Sequence, residues 1–213
     1  MTSYIDNYAA SSGGLIEIES MIITENSLAV FYAFITSFSD SMNSSWNEEQ
    51  VYGRPDPIGT FQNTTRKISL AFDVPSANLL EAKAKLTMIN RVKQFMYPAY
   101  SSNTANNTST NALSLAKSPL VRIKFANLIQ NQDPDALSDG LLGWIGSFSA
   151  TPVIDMGMFN ESIGGQGMLY PKVYNVSLDF TPQHEFDLGY KMKGTTAEPI
   201  DSKFTKFPYD GGK

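Results

Sequence analysis

Three stretches of the chain alternate apolar and polar residues at every second position: Thr64–Val74, Leu120–Ile129 and Val173–Phe180. In the first, Ile68 to Val74 places four apolar residues on one side and small or charged residues on the other. Successive side chains of a strand point to opposite faces, so each stretch predicts a half-buried β-strand. Leu15–Ile23 also reads as a strand.

The segment Leu28–Phe38 is apolar on both faces of the strand that it predicts. Such a strand has to be covered on both sides. The cover is either a helix of the same chain or a neighbouring subunit, and the pattern alone leaves both open. One face carries Phe31, Ala33 and Ile35. The other face, which we take as the candidate contact with a neighbour, carries Val30, Tyr32, Phe34 and Phe38.

The segment Pro75–Tyr97 predicts the main helix, with Ser76 as its cap and Pro98 as its stop. Apolar residues recur at spacings of three and four and form one stripe, made of Leu79, Ala82, Leu86, Ile89, Val92 and Met96. The predicted helix also carries four basic residues, most of which lie off this stripe: Lys83, Lys85, Arg91 and Lys93. They form either a solvated face or a docking surface for an acidic partner.

The remaining segments contain turn-forming residues. Ser39–Gln62 is expected to be irregular, and Ser101–Ser118, nearly all Ser, Thr, Asn and Ala, to be a long loop insertion. Leu141–Ala150 is a strand in which Gly143 and Gly146 indicate a bulge or a close backbone approach. The sequence therefore predicts about six strands, paired mostly antiparallel, and one helix. The predicted fold is mainly β, within the β-rich α+β class.

Composition narrows the possible functions of these 213 residues. Charged residues make up 17%, against roughly 25% in an average domain, which suits broad permanent contacts. The chain lacks Cys, which excludes disulfides and cysteine-based metal or nucleophile sites. The net charge is -5, and Met1–Gly53 has no Lys or Arg, so we expect neither a secretory signal nor a nucleic-acid grip. No apolar run approaches a membrane span.

The sequence contains no catalytic, metal or cofactor motif on which we would propose a site. His184, the single histidine, precedes Glu185, but neighbours in an extended segment point to opposite faces and form no dyad. The acidic segment 133–139 fails the spacing of a calcium loop, and Gly164–Gly167 lacks the Lys-Ser/Thr of a phosphate loop. We therefore expect no enzyme and no cofactor.

The most specific segment runs from Trp46 to Ile58 and continues into the strand at Asn63–Ser69. It reads as a rigid, extended linker, because residues before proline avoid the helical region. Within it, Arg54 and Asp56 are expected to pair, and Arg66 to bond the linker's carbonyls. The segment is either such an internal clamp or a contact surface for a partner, and its candidate residues are Trp46, Tyr52, Arg54, Asp56 and Arg66.

A series of motifs from Trp46 to Tyr190 resembles a known family. They are Val51-Tyr52-Gly53-Arg54-x-Asp56-Pro57-Ile58, Asn63-Thr64-x-Arg66-x-Ile68-x-Leu70-x-Phe72, Met96-Tyr97-Pro98-x-Tyr100, Ser118–Phe125, Gly140–Gly143, Tyr170-Pro171-Lys172, His184-Glu185 and Leu188-Gly189. Together they resemble tail-tube-initiator and related tube-adaptor proteins in the baseplates of contractile-tailed bacteriophages. Met1–Ser45 and the loop insertion lie outside the resemblance.

The resemblance implies a tail-tube fold, an antiparallel β-sandwich or partial barrel with one flanking helix. It implies a hexameric ring between the central hub or spike and the tail tube, with strands of neighbouring subunits forming a lumen through which DNA passes without specific binding. The strand with Val30, Tyr32, Phe34 and Phe38 would line or join that lumen. Baseplate wedge and tape-measure proteins are further possible partners, and the protein would act in the virion after assembly in the host cytoplasm.

We expect a tail-tube-like domain at 15–190. Composition, and not the resemblance, predicts a flexible N-terminal arm at 1–14, the loop insertion at 101–118 and a C-terminal extension at 191–213. Two alternatives stay open. One is another tail component on the same fold, such as a tube, terminator or hub-adaptor protein. The other is a carbohydrate-binding module that uses Trp46, Trp144 and the tyrosines.

Overall fold

A computed structural model describes residues 15–32, 34–102, 113–131, 140–163, 166–185 and 188–199. Within these ranges the chain forms thirteen strands, one α-helix and one 3₁₀ helix. In chain order they are β1 Leu15–Ser20, β2 Leu28–Tyr32, β3 Phe34–Glu49, β4 Ile58–Pro75, α1 Leu79–Phe95, β5 Ala99–Ser102, β6 Leu113–Lys117, β7 Val121–Phe125, β8 Leu141–Pro152, the 3₁₀ helix Ile154–Met156, β9 Met158–Ile163, β10 Gln166–Pro171, β11 Val173–Pro182, β12 Tyr190–Lys193 and β13 Thr196–Pro199.

Seven of the strands form one antiparallel sheet in the order β2-β1-β7-β8-β11-β4-β3. The two edge strands are consecutive in the chain, since β2 ends at Tyr32 and β3 begins at Phe34. A single residue spans at most about 7 Å between its neighbours, so the two edges meet at this corner and the sheet curls on itself. The prediction of a mainly β, antiparallel fold is confirmed, although six strands were too few.

One apolar core fills the concave side of the curled sheet and the underside of α1. The alternation predicted for β4 and β11 is confirmed, because their apolar residues are buried and their polar residues point outward. Helix α1 closes this core with Ala82, Ile89, Val92 and Phe95. The largest fully buried side chains are Phe31, Phe72, Phe180, Ile16, Ile18, Ile68, Leu70, Ile89, Ile123, Ile129 and Leu178.

Helix α1 begins later than predicted, because its cap is Asn78 and not Ser76. The Asn78 side chain accepts a hydrogen bond from the Glu81 backbone N–H at 2.9 Å, which satisfies a donor of the first turn. The Ser76 backbone N–H instead donates to the carbonyl of Lys172 at 2.7 Å. Ser76 therefore ties the end of β4 to the segment before β11.

Most of the basic residues of α1 contact neighbouring segments, so they do not form a solvated face, the first of the two alternatives. Lys85 is buried and contacts Glu81 and the carbonyl of Pro75. Lys83 pairs with Glu161 of β9. Arg91 donates to the carbonyl of Leu28 at 2.9 Å. The long side chains reach from the helix to neighbouring segments, so these cations stabilise the packing of the helix and leave only Lys93 exposed.

The glycines of β8 act as the sequence predicted. A Cβ on Gly143 would lie 2.3 Å from the carbonyl oxygen of Thr181, so the close approach of β8 and β11 requires glycine there. The register of these strands shifts between Asp179 and Phe180, and Gly146 is the extra residue on β8. Both the close approach and the bulge are therefore present.

The single strand predicted over Leu28–Phe38 is wrong. The segment is divided between the two edge strands: β2 pairs with β1 at one edge of the sheet, and β3 pairs with β4 at the other. Of the four residues placed on one face, Val30 and Tyr32 lie in β2 and Phe34 and Phe38 in β3. Val30 and Tyr32 are half-buried. Phe38 packs against the core of the same chain, as Ile35 does, whereas Phe34 is 45% exposed.

Segments expected to be irregular form hairpins. Ser39–Gln62 lies in a long hairpin of β3 and β4, and the ends of the 101–118 insertion form the hairpin of β5 and β6. Two further hairpins, of β9 with β10 and of β12 with β13, were not predicted from the sequence. The N-terminal arm at 1–14, residues 103–112, the acidic segment at 133–139 and most of the 191–213 extension lie outside the described residues.

Candidate functional site

The feature that sequence reasoning missed is a projecting hairpin, which we define as Ser41–Thr65. It is the outer half of the pair β3–β4, with cross-strand partners from Asn43 opposite Thr65 to Glu49 opposite Ile58. Each of its residues is exposed. The neighbouring strand β11 pairs with β4 only between Ile68 and Pro75. Among the described residues, both long edges of the projecting hairpin therefore lack a partner strand.

The tip of the projecting hairpin is a tight turn over Val51–Arg54. The Arg54 backbone N–H donates to the carbonyl of Val51 at 3.2 Å, and Gly53 has φ 81°. A positive φ at the third position of a four-residue turn favours glycine, which explains Gly53. The turn leaves Tyr52 fully exposed, at 105% of its reference area.

Apolar side chains line one side of the projecting hairpin. Trp46 stacks edge-on against Phe61 of the opposite strand, with ring centroids 5.3 Å apart, and both rings remain about half exposed. Met42 lies four cross-strand pairs nearer the body on the same side, at 47% exposure. Exposed aromatic and apolar groups grouped on one element are typical of an interaction surface.

The expected internal clamp is not formed in this segment. Arg66 does not bond the carbonyls of the linker but grips Asp40 of β3, with Nε to both carboxylate oxygens at 3.0 Å and Nη2 to Oδ2 at 2.6 Å. Both side chains are buried, at 3% and 5% exposure. Arg54 and Asp56 form no ion pair in the part of the chain that the structure describes. Asp40 fixes the base of the projecting hairpin, and nothing in the sequence pattern singled it out.

A groove of about 620 Å³ lies where the projecting hairpin leaves the sheet. Its apolar wall includes Met42, Phe61, Trp144, Pro182 and Leu188. It forms because β4 and β11 diverge beyond Ile68, so their side chains no longer cover each other. The groove therefore joins the apolar side of the projecting hairpin to the body of the protein.

His184 lines the groove beside the Arg66–Asp40 pair. Burial lowers the pKa of His184 below its usual 6.5, the Arg66 guanidinium lowers it further, and the Asp40 carboxylate opposes both effects. Glu185 points elsewhere and makes a two-pronged pair with Arg122 of β7, at 2.8 and 2.9 Å. The sequence prediction that His184 and Glu185 form no dyad is confirmed.

The convex side of strands β3, β4, β11 and β8 is a polar face of small side chains. It consists of Ser37, Ser39, Ser41, Lys67, Ser69, Ala71, Asp73, Asn175, Ser177, Asp179, Ser147, Ser149 and Thr151. The partly exposed ring of Phe34 lies at the start of β3 on the same side, opposite Asp73.

The few charged groups of the polar face have partners within it. Asp179 accepts hydrogen bonds from Ser69 at 2.6 Å and Ser147 at 3.1 Å, and Lys67 lies 3.2 Å away. The hydroxyl of Ser69, followed by Lys67, lowers the pKa of Asp179 below its usual 3.8. Asn175 donates to Asp73 at 2.8 Å. The polar face thus presents hydroxyl and amide groups and almost no unbalanced charge.

The described ranges contain no group of three or more His, Cys, Asp or Glu side chains that could hold a metal ion. Neither α1 nor the short 3₁₀ helix is long and apolar enough to cross a membrane, and no other helix occurs in those ranges. In the comparisons with known proteins, no family model and no curated protein matches the chain. The function is therefore inferred from the fold and from the projecting hairpin, the groove and the polar face.

Proposed function

We propose that the protein is a structural subunit that assembles into a ring around a conduit, as a tail-tube initiator of a contractile-tail baseplate does. The observation that carries the proposal is the projecting hairpin, Ser41–Thr65, exposed on all sides and without partner strands in the described residues. The motifs around Val51–Ile58 and Asn63–Phe72, which carry the family resemblance, lie in this hairpin and in the strand that continues from it.

Strand edges support assembly as the role of the hairpin. An edge of β-structure offers unpaired N–H and C=O groups to any strand that approaches, and proteins usually block such edges with lysine, proline or short strand length. The projecting hairpin is long, has no lysine, and carries its two prolines, Pro55 and Pro57, in the turn region alone. Its edges therefore suit pairing with strands of other subunits.

The polar face supports the conduit. DNA that slides past a wall must not be held by it, and a wall of lysine and arginine would bind phosphates. The basic residue of the polar face, Lys67, is balanced by Asp179, and the remaining side chains are mostly serine, threonine and asparagine. We place the lumen at this face, in place of the Val30–Phe38 strand expected from the sequence.

The partners follow from the same proposal. The chain would meet copies of itself in a hexameric ring, the central hub on one side and the tail tube on the other. Another tail component on the same fold, such as a tube, terminator or hub-adaptor protein, would use the same surfaces. The number of copies in each particle separates these roles.

The proposal is tested by quantitative mass spectrometry of purified intact virions, with the trimeric hub protein as the internal scale. Two copies per hub chain are expected for one hexameric ring. Many more copies would make the protein a tube subunit, and absence from the particle would overturn the structural role. An unrelated cytosolic host protein, measured in the same sample, controls for contamination.

A carbohydrate-binding module is the second candidate. It is favoured by two exposed aromatic residues at the groove, Phe61 and Trp144, with Trp46 beside them. Aromatic rings are suitable platforms for sugar rings because each presents a flat apolar surface. Binding on a glycan array that is lost in Trp144→Ala would favour this function over the ring.

A further inference from the structure

A second exposed apolar surface surrounds the end of helix α1. Two adjoining hollows of about 360 and 260 Å³ share Phe95 and together form what we name the helix-end trough. Ile22, Ile23 and Tyr97 line one hollow, and Leu120 lines the other. Ile23 and Tyr97 are 43% and 72% exposed, so described parts of the same chain leave the trough open.

The projecting hairpin of the same chain does not fill this trough. Tyr52 at the tip of the hairpin is fully exposed and therefore touches no other described part of its own chain closely. The groove at the base of the hairpin and the helix-end trough are both lined by Trp144, so the two surfaces lie at the same end of the sheet. A single chain thus carries two different apolar surfaces, and neither covers the other.

The charges around the two surfaces are opposite in sign. The outer part of the projecting hairpin carries Glu48, Glu49 and Asp56 against Arg54, a local excess of negative charge. Lys93 in the last turn of α1 and Lys117 at the end of β6 directly precede the trough-lining residues Gln94 and Ser118, and Glu25 lies in the loop that contains Ile23. All of these side chains are exposed, and none has an ion-pair partner among the described residues.

We propose that the helix-end trough receives the tip of the projecting hairpin of a second copy of this chain. Two different surfaces that fit each other make a head-to-tail contact, and such contacts close into a ring when the rotation between copies allows it. Tyr52 would enter the trough beside Tyr97, while Glu48 and Glu49 approach Lys93 and Lys117. This inference deepens the proposed function, on which its ring depends, by naming the contact between subunits.

Cross-linking tests the contact directly, because the chain has no cysteine of its own. A Tyr52→Cys variant is mixed with a Tyr97→Cys variant and treated with a short bismaleimide. Both positions are exposed, so neither change should disturb folding, which thermal unfolding verifies. The contact predicts a covalent heterodimer in the mixture and little product in either variant alone. A Tyr52→Cys with Ile154→Cys mixture is the control, because Ile154 is also exposed but lies outside the trough.

Charge reversal supplies a second, independent test. Glu48→Lys with Glu49→Lys places lysines opposite Lys93 and Lys117, and Lys93→Glu with Lys117→Glu places acids opposite acids. Each variant alone should self-associate at least about tenfold more weakly than the wild type, because like charges oppose docking. A 1:1 mixture of the two restores opposite charges at every contact and should recover association.

Three results would overturn the inference: no heterodimer in the mixture, a Tyr52–Tyr52 product as the main species, or charge reversals without effect. Rings that persist in both charge-reversed variants would leave the proposed function standing and remove only this contact. Absence of the protein from virions, together with efficient heterodimer cross-linking, would do the reverse.

Discussion

Phe34 and Phe38 lie four residues apart in strand β3 and yet face opposite sides of the sheet. Phe34 is opposite Asp73 on the polar face, and Phe38 is opposite Leu70 and packs against the core. The register shift between Ile35 and Ser37 inserts one extra residue, which reverses the alternation. In an undistorted strand, two residues four positions apart lie on the same face of the sheet.

This relationship predicts different effects of matched substitutions. Phe38→Ser should lower the free energy of unfolding by about 2–4 kcal/mol, since it removes an aromatic ring packed against the core. Phe34→Ser should lower it by less than about 1 kcal/mol, because Phe34 is 45% exposed. Urea denaturation of both variants provides the measurement. Equal losses of stability would contradict the bulge.

Gly143 offers a prediction about the contact of β8 with β11. Gly143→Ala should destabilise the fold by about 1–3 kcal/mol or more, because the added methyl would meet the Thr181 carbonyl oxygen and the Phe180 ring. Gly167→Ala, where a Cβ meets nothing within 4 Å, is the control and should be nearly neutral. Thermal unfolding compares the two, and a neutral Gly143→Ala would show that the strands can separate freely.

The buried pair of Arg66 and Asp40 should show strong coupling. Arg66→Met or Asp40→Leu alone should cost about 3–5 kcal/mol, because each leaves a buried charge without its partner. The double variant replaces both charges with apolar groups and should recover much of that loss. Urea denaturation of the four proteins gives the coupling energy. Losses in the single variants that simply add would mean that the pair contributes little to the base of the projecting hairpin.

His184 should make stability depend on pH in a definite direction. Its pKa is lowered in the folded protein, so the unfolded chain binds more protons once the pH falls below about 6.5. The free energy of unfolding should therefore decrease from about pH 6.5 down to the folded pKa and then stop changing through this group. In His184→Gln this part of the pH dependence should disappear. Titration of the single imidazole by NMR, with a pKa at or above 6.5, would contradict the prediction.

The sequence alone predicts which residues are buried in strands that have one buried face. It does not predict the facing of residues in strands whose register depends on distant partners. In β4 and β11 the alternation alone assigned the buried residues, because burial on one face selects apolar residues at every second position. The bulge after Ile35 has no local signature, so Phe34 and Phe38 were assigned to one face. The sequence predicts an irregular segment over Ser39–Gln62 because turn-forming Gly and Pro residues lie close together from Gly53 to Gly59. In the structure these residues occupy the turn and the adjoining strand of the projecting hairpin, whose pairing depends on cross-strand hydrogen bonds that composition does not reveal.

The candidate site was predicted in part. Trp46, Tyr52 and Arg66 were singled out from the motif around Val51–Ile58, and they do belong to the projecting hairpin or its base. The roles expected for Arg54 with Asp56 and for Arg66 were wrong, because the partner of Arg66 is Asp40, which lies 26 positions away. Only the register of β3 against β4 brings these two together, and a single sequence does not specify that register.

If copies of this chain assemble through the projecting hairpin, a variant that lacks the hairpin should lose assembly. Asn43–Thr65 is replaced by Asn-Gly, a two-residue turn that joins the paired residues Met42 and Arg66. Sedimentation velocity is then measured for the wild type and the variant over a wide range of concentration. We expect a folded, monomeric variant and a wild type that forms a closed oligomer as its concentration rises. A wild type that stays monomeric throughout, or a variant that assembles equally well, would contradict assembly through the hairpin.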